Sequence, residues 1–205
     1  MKYNWLIFGL LLALGTSPLF SQTKKFKIHT VAFYNFENLF DTINDPDTFD
    51  EEWTPDGLQR WTKAKYQTKL HHLAQVLSEI GTPENKELPT FIGGCEIENR
   101  AVLEDLIQQS QLQEAEYGII HFDSPDKRGI DVALLYRKKW FRPTNFSSIP
   151  LYLNATPESE KTNTAASLAE KTEDDVPILA PTKRIYTRDQ LLVSGYLEGE
   201  EIHLL

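Results

Sequence analysis

The sequence contains a single cysteine, Cys95, so an intramolecular disulfide framework is excluded. Beyond the N-terminal region, no segment approaches the ~20 apolar residues that a membrane-spanning helix needs. The sequence shows no internal repeat and no clear basic groove with exposed aromatic residues, which would favour nucleic acid binding. Its 205 residues are 40% hydrophobic and include 11 Phe, 8 Tyr and 4 Trp. This composition suits one globular domain with a substantial core.

The first 21 residues have the layout of a secretory signal peptide. Lys2 precedes an apolar stretch from Trp5 to Leu14, and small and polar residues continue to Ser21. No cysteine lies near Ser21 to carry a lipid anchor. We therefore expect cleavage near Ser21 and a secreted or periplasmic protein without stable membrane insertion.

The formal net charge of -9 is concentrated in two segments. Residues 41–56 hold seven acidic and no basic side chains, and residues 158–175 hold six acidic side chains and two lysines. The rest of the chain is close to neutral, so the acidic total does not exclude a phosphoester substrate.

The spacing of apolar residues predicts strands and helices in alternation, followed by adjacent strands. Strands are predicted at residues 29–34, 90–95, 117–122 and 131–136, helices at 62–80 and 100–109, and a hairpin at 191–205. This order predicts an α+β protein with a mixed sheet. The composition becomes polar from residue 143, and residues 154–182 are predicted to be a flexible insertion in a domain that covers residues 26–205.

Hard oxygen side chains follow two of the predicted strands. Asn35 and Glu37 come after the first, and Glu96 comes at the end of the second. Carboxylate and amide oxygens without neighbouring His or Cys suit Mg²⁺, Mn²⁺ or Ca²⁺ better than Zn²⁺. The pattern predicts a divalent cation site, for which phosphoester hydrolysis is the natural task. The alternatives are a solvated glutamate and an asparagine that only turns the chain.

A polar turn, Ser124–Gly129, precedes the strand that begins at Asp131. Arg128 in this turn is a candidate phosphate clamp, because a guanidinium group offers a bidentate fork to two oxygens. The alternative is a surface arginine that forms a structural ion pair with Asp131.

Three motifs, in this order, resemble the endonuclease/exonuclease/phosphatase superfamily, specifically its exported bacterial members. They read YNFENLFD at residues 34–41, GCEIENR at 94–100 and SPDKRGIDVALLY at 124–136. The resemblance runs from about His29 to Leu205, without the insertion. It implies a DNase I-like four-layer sandwich, in which two mixed β-sheets face each other between outer helices and the metal lies at the top between the sheets.

The resemblance also implies roles for individual residues. Glu96 would be the principal metal ligand, Asn35 would orient the metal and the phosphate, and Glu37 stands at a position that is acidic in some relatives. The other implied site residues are Arg128 and Asp131 in the active-site loop and Arg188 on the phosphate side.

The activity implied is Mg²⁺-dependent phosphodiester hydrolysis, with Mn²⁺ or Ca²⁺ as alternative ions and a nuclease as the leading expectation. Nucleic acid is one candidate substrate, and we expect a monomer. A phosphatase acting on inositol phosphates or phospholipid head groups is the alternative within the family.

The same resemblance calls for an Asn-x-His segment, an Asp-x-Asn pair and a C-terminal Asp-His that supplies the catalytic base. The sequence contains none of them. We therefore expect the N-terminal portion of a longer protein, nearly inactive by itself. A non-catalytic exported binding protein on the same scaffold is the competing hypothesis.

Overall fold

A computed structural model describes residues 26–154, 182–184 and 186–205. The predicted signal peptide and nearly all of the predicted insertion lie outside the described residues. Two short 3-10 helices, Glu51–Trp53 and Gln113–Ala115, lie in connecting segments. The other elements are β1 (Val31–Leu39), α1 (Lys63–Glu79), β2 (Phe91–Ile97), α2 (Arg100–Ile107), β3 (Tyr117–Phe122), β4 (Asp131–Arg137), β5 (Phe141–Ile149), β6 (Tyr152–Asn154), β7 (Thr182–Arg184), β8 (Gln190–Leu197) and β9 (Glu200–Leu204).

The larger sheet has the strand order β1-β2-β4-β3. β1 and β2 run parallel, whereas β4 runs antiparallel to both β2 and β3. A second, antiparallel sheet has the order β5-β8-β9, and β6 pairs with β7 in a separate ribbon. The predicted mixed sheet is therefore present.

Helices α1 and α2 cover one face of the first sheet. The apolar residues of α1 recur every three or four positions and are buried against Phe36 and Ile92 of the sheet. The Thr62 hydroxyl accepts a hydrogen bond from the Lys65 amide, and the Asn99 side chain accepts one from the Val102 amide at 3.1 Å. These side chains cap the N-termini of α1 and α2. Neither helix is long and apolar enough to cross a membrane.

The second sheet packs on the opposite face of the first. Alternation along β4 explains the two cores, because Ala133 and Leu135 pack under the helices while Leu134 packs against Phe141 and Val193. The prediction of an α+β fold with two facing sheets is confirmed. Within the described residues, the layers are helices, first sheet and second sheet.

Strand β5 was missed by the sequence analysis, which marked a polar segment from residue 143 onward. The strand lies at the edge of its sheet, so Thr144, Asn145 and Phe146 are exposed and no apolar alternation marks it. Its register with β8 shifts between Pro143 and Asn145. A proline is tolerated there because an edge strand with a bulge can omit a ladder hydrogen bond.

Candidate active site

The predicted metal ligands lie at a bulge inside two paired strands. Asn35 of β1 pairs with Cys95 of β2, and the next matched pair is Leu39 with Ile97. Residues 36–38 therefore oppose the single residue Glu96. The prediction that the first strand ends at residue 34 was wrong, because the strand continues through this bulge to residue 39.

Glu96 also forms a bulge in the pairing of β2 with β4. There, Cys95 pairs with Val132 and Ile97 pairs with Asp131, so Glu96 has no opposite partner on β4. Its backbone has a φ of 61°, in the left-handed region. This conformation costs a non-glycine residue about 1–2 kcal/mol and is concentrated at functional sites. The bulge therefore re-aims the Glu96 side chain at some cost in backbone strain.

Three cationic side chains act on the Glu96 carboxylate. Arg188, which precedes β8, places Nη1 3.9 Å from Glu96 Oε1. The charge of Glu96 also acts on Lys69 of α1 and on Arg128 in the β3–β4 loop. No group in the described part of the chain donates a hydrogen bond to this carboxylate, whose side chain is 23% exposed. It is therefore partly exposed to solvent, lies close to Arg188 and is available to a ligand.

Asn35 and Glu37 lie on β1 opposite the Cys95–Ile97 segment of β2, at the carboxyl end of the parallel strand pair. Asn35 Oδ1 accepts a hydrogen bond from the Glu37 amide at 2.7 Å, which fixes the orientation of the Asn35 side chain. An amide oxygen has two lone pairs, so one remains for a cation. Glu37 is exposed and has a left-handed backbone with a φ of 52°. The structure thus brings the three predicted metal ligands to one bulge.

Arg128 is held by Asp126. Its Nε and Nη2 donate to the two Asp126 carboxylate oxygens at 3.0 and 2.7 Å, and its backbone amide donates to Oδ1 at 3.1 Å. The Thr187 hydroxyl donates to Asp126 Oδ2 at 3.2 Å, which ties this loop to the segment that carries Arg188. Burial by itself would raise the pKa of Asp126, but its hydrogen bonds with Arg128 and Thr187 lower that pKa below its usual range. The alternative pairing of Arg128 with Asp131 was wrong.

Asp131 is buried and supports the start of the same loop. Its Oδ2 lies 2.8 Å from His121 Nε2, and its Oδ1 accepts a hydrogen bond from the Ser124 amide at 2.7 Å. In the described segments, His121, Asp123 and Asp131 are the one group of three or more His, Cys, Asp or Glu residues whose ligand atoms all come within 4.8 Å of one another. Because the Asp123 side chain is 95% exposed, we interpret the buried His121–Asp131 pair as loop support.

A cleft of about 640 Å³ opens between the two sheets. Cys95 lines its wall, and Arg188 lines the same cleft. Burial raises the pKa of the Cys95 thiol, which agrees with a packed rather than a nucleophilic cysteine.

Lys69 and Asp126 were not identified as site residues from the sequence. Lys69 precedes the buried Leu70 on α1 and is half-buried, although lysine is normally exposed. The position of Lys69 beside the apolar face of the helix was the one sequence feature that could have predicted its partial burial against the sheet. Asp126 lies within the third motif, but nothing in its spacing showed that it pairs with Arg128.

The model of a family described as the endonuclease/exonuclease/phosphatase family matches residues 30–175. The match includes the bulge and the Asp126–Arg128 loop. Comparisons with curated proteins and with solved structures found no significant match.

Proposed function

The chain belongs to the endonuclease/exonuclease/phosphatase family, and we propose on this basis that it is a metal-dependent phosphodiester hydrolase of the nuclease type. The observation that carries the proposal is the backbone conformation of Glu96 and the surroundings of its carboxylate. Its carboxylate lies at a strained bulge, accepts no hydrogen bond from the described residues, lies 3.9 Å from Arg188 and interacts electrostatically with Lys69 and Arg128. A carboxylate in these surroundings suits a site that handles both a metal and a phosphate.

The donor atoms fit a hard divalent cation. Glu96 and Glu37 offer carboxylate oxygens and Asn35 offers an amide oxygen, the ligand types that Mg²⁺, Mn²⁺ and Ca²⁺ prefer. Mg²⁺ is our first choice. When bound, such an ion supplies Lewis-acid polarisation of a phosphoryl oxygen.

The arginines fit the phosphate part of the substrate. Arg188 Nη1 is buried without a hydrogen-bond partner among the described residues, so it can donate to a phosphate oxygen near Glu96. The Arg128 side chain is 61% exposed, while Asp126 holds two of its nitrogens. Its remaining N–H groups can bind a second phosphate oxygen. In this arrangement Asn35, Arg128 and Arg188 orient the substrate and stabilise the charge that builds on the phosphate.

We further propose that the protein acts outside the cytoplasm, as a secreted or periplasmic monomer. The support for export is the signal-peptide layout of the first 21 residues. A phosphodiester is the proposed substrate class, with nucleic acid as the first candidate.

The test measures metal-dependent hydrolysis of bis(p-nitrophenyl) phosphate and of plasmid DNA by the protein from its native source. The intact mass of that protein is compared with the mass of a chain that ends at Leu205. We expect Glu96→Gln to reduce hydrolysis more than 100-fold, because the variant lacks the carboxylate charge. The matched control is Glu104→Gln, which changes an exposed carboxylate on α2 and should leave the rate unchanged.

Two results would count against the proposal in different ways. Full activity in Glu96→Gln would remove Glu96 from the mechanism. Tight metal binding by the native protein without hydrolysis of either substrate would favour the non-catalytic binding protein.

A further inference from the structure

A lysine on helix α1 contacts the bulge from the helical side of the sheet. Lys69 Nζ donates to the backbone oxygen of Glu37, and it lies 3.3 Å from the backbone oxygen of Asn38. The Asn38 oxygen also accepts a hydrogen bond from the Phe40 amide at 3.0 Å. Lys69 therefore contacts the backbone oxygens of two consecutive residues of the bulge.

These two residues need support because both have left-handed backbones. Glu37 has a φ of 52° and Asn38 has a φ of 59°. Left-handed residues are unfavourable in a strand, and the carbonyls of a bulge are displaced from the hydrogen bonds of the ladder. The ammonium group of Lys69 donates to the Glu37 carbonyl and adds a second donor to the Asn38 carbonyl, at the place where the strand departs from regular geometry.

The position of Lys69 also links the bulge electrostatically to Glu96. The side chain is half-buried, and burial lowers its pKa, while the nearby charges of Glu37 and Glu96 act in the opposite direction. Its Nζ lies 5.6 Å from the centre of the Trp61 ring, which adds a weak cation–π attraction. One ammonium group thus contacts the bulge backbone and interacts electrostatically with two predicted metal ligands.

We propose that Lys69 is a positioning residue that holds residues 36–38 in their bulged conformation and so keeps Asn35 and Glu37 in register with Glu96. This inference rests on the proposed function, because it assigns the effect of Lys69 to the metal site. Removing a residue that orients metal ligands typically weakens metal binding 10–100-fold. A lysine that only joined helix and sheet would affect stability without affecting metal affinity.

The experiment compares Lys69→Met and Lys69→Arg with the wild type in the full-length protein. Mn²⁺ affinity is measured by calorimetry, and folding is followed by thermal unfolding. We expect Lys69→Met to bind Mn²⁺ about 10–100-fold more weakly. Lys69→Arg should recover most of the affinity, because it keeps both the charge and the donors.

Lys65 provides the matched control. It lies one turn earlier on α1, is exposed, and donates from Nζ to the backbone oxygen of Gln59 at 2.8 Å. Lys65→Met removes the same functional group from the same helix without touching the bulge, and it should bind Mn²⁺ like the wild type. Equal losses in Lys65→Met and Lys69→Met would overturn the proposal.

A measurement on the wild type covers the case in which Lys69→Met does not fold. In a protein with ¹⁵N-labelled lysine side chains, titration with Mg²⁺ should shift the Lys69 Nζ signal with the same midpoint as calorimetric binding. An unchanged Lys69 signal on saturation with Mg²⁺ would overturn the proposal.

The outcomes separate this inference from the proposed function. A wild-type protein that binds no Mn²⁺ or Mg²⁺ would contradict both. If the wild type binds Mn²⁺, Glu96→Gln loses binding and Lys69→Met keeps full affinity, only the role of Lys69 fails.

Discussion

Arg188 Nη1 lies 3.9 Å from Glu96 Oε1, too far for a hydrogen bond, and the guanidinium nitrogen is buried without a partner among the described residues. A buried donor that lacks a partner costs about 1–3 kcal/mol. The same donor becomes favourable when an anionic oxygen reaches it. Under the proposed function, a phosphate oxygen of the substrate would be the partner of Arg188 Nη1.

Replacing Arg188 by alanine should weaken phosphodiester binding. We expect Arg188→Ala to raise KM at least 10-fold, because a charge-assisted hydrogen bond contributes about 1.5–3 kcal/mol. Steady-state kinetics at saturating Mg²⁺ measures the effect. Arg142→Ala is the control, because Arg142 is exposed and packs on Tyr196 of the second sheet, with Cζ 5.4 Å from the ring centre. A wild-type KM in Arg188→Ala would contradict a phosphate contact.

Backbone strain at Glu96 predicts a trade-off between stability and metal binding. Glu96→Gly and Glu96→Gln both remove the charge, but only glycine relieves the left-handed conformation. Relief of about 1–2 kcal/mol is partly offset by the entropy of glycine, about 0.5–1 kcal/mol. Urea unfolding without metal should therefore show Glu96→Gly to be more stable than Glu96→Gln by about 0.5–1 kcal/mol.

Glu116 serves as the control for that comparison. It also has a left-handed backbone, with a φ of 51°, and it lies at the end of a 3-10 helix. The same pair of substitutions at Glu116 should give a similar difference in stability and leave Mn²⁺ binding unchanged. A gain at Glu116 without one at Glu96 would show that the bulge is not strained.

Asp126 should contribute stability that depends on pH. Burial opposes its ionisation, but the hydrogen bonds with Arg128 and Thr187 lower its pKa below the unfolded value of 3.8. A carboxyl group with a lowered folded-state pKa stabilises the fold above the unfolded pKa, and this stability is lost as the pH falls through the folded pKa. Asp126→Asn should therefore be less stable than the wild type at pH 7, with a smaller difference below pH 3.8.

Urea unfolding of both proteins at pH 7 and at pH 3 measures this dependence. Asp56→Asn, at an exposed acid in the loop before α1, should differ little from the wild type at either pH. An equal difference between Asp126→Asn and the wild type at the two pH values would rule out the carboxylate charge as its source.

Asp131 is predicted to act through folding of the loop. Asp131→Asn replaces a buried acceptor of two hydrogen bonds with an amide, and we expect it to lower the free energy of unfolding by about 2–3 kcal/mol. Asp123→Asn, at the exposed neighbour of the same histidine, should change it by less than about 0.5 kcal/mol. Chemical denaturation measures both, and equal effects would contradict the assignment of loop support to Asp131.

The bounds of most elements were predictable because each depends on a local pattern. Residues 117–122 were predicted as a strand and form β3, and the helix predicted at 62–80 is α1 at Lys63–Glu79. Strand β5 was missed because its exposed edge carries no apolar alternation. For the site, the motifs identified Asn35, Glu96 and Arg128 as candidates. They did not predict the hydrogen-bond or ion-pair partner of any of these side chains.

The sequence by itself determined the α+β class, the apolar faces of the helices and strands, and the residue types available to a metal and a phosphate. These properties follow from the order of side chains along the chain. Only the tertiary structure decided that Glu96 occupies a bulge, that Arg188 approaches it from the segment before β8, and that Lys69 donates to the backbone of β1. Strand register and contacts between distant segments depend on how whole elements pack, so no local pattern encodes them.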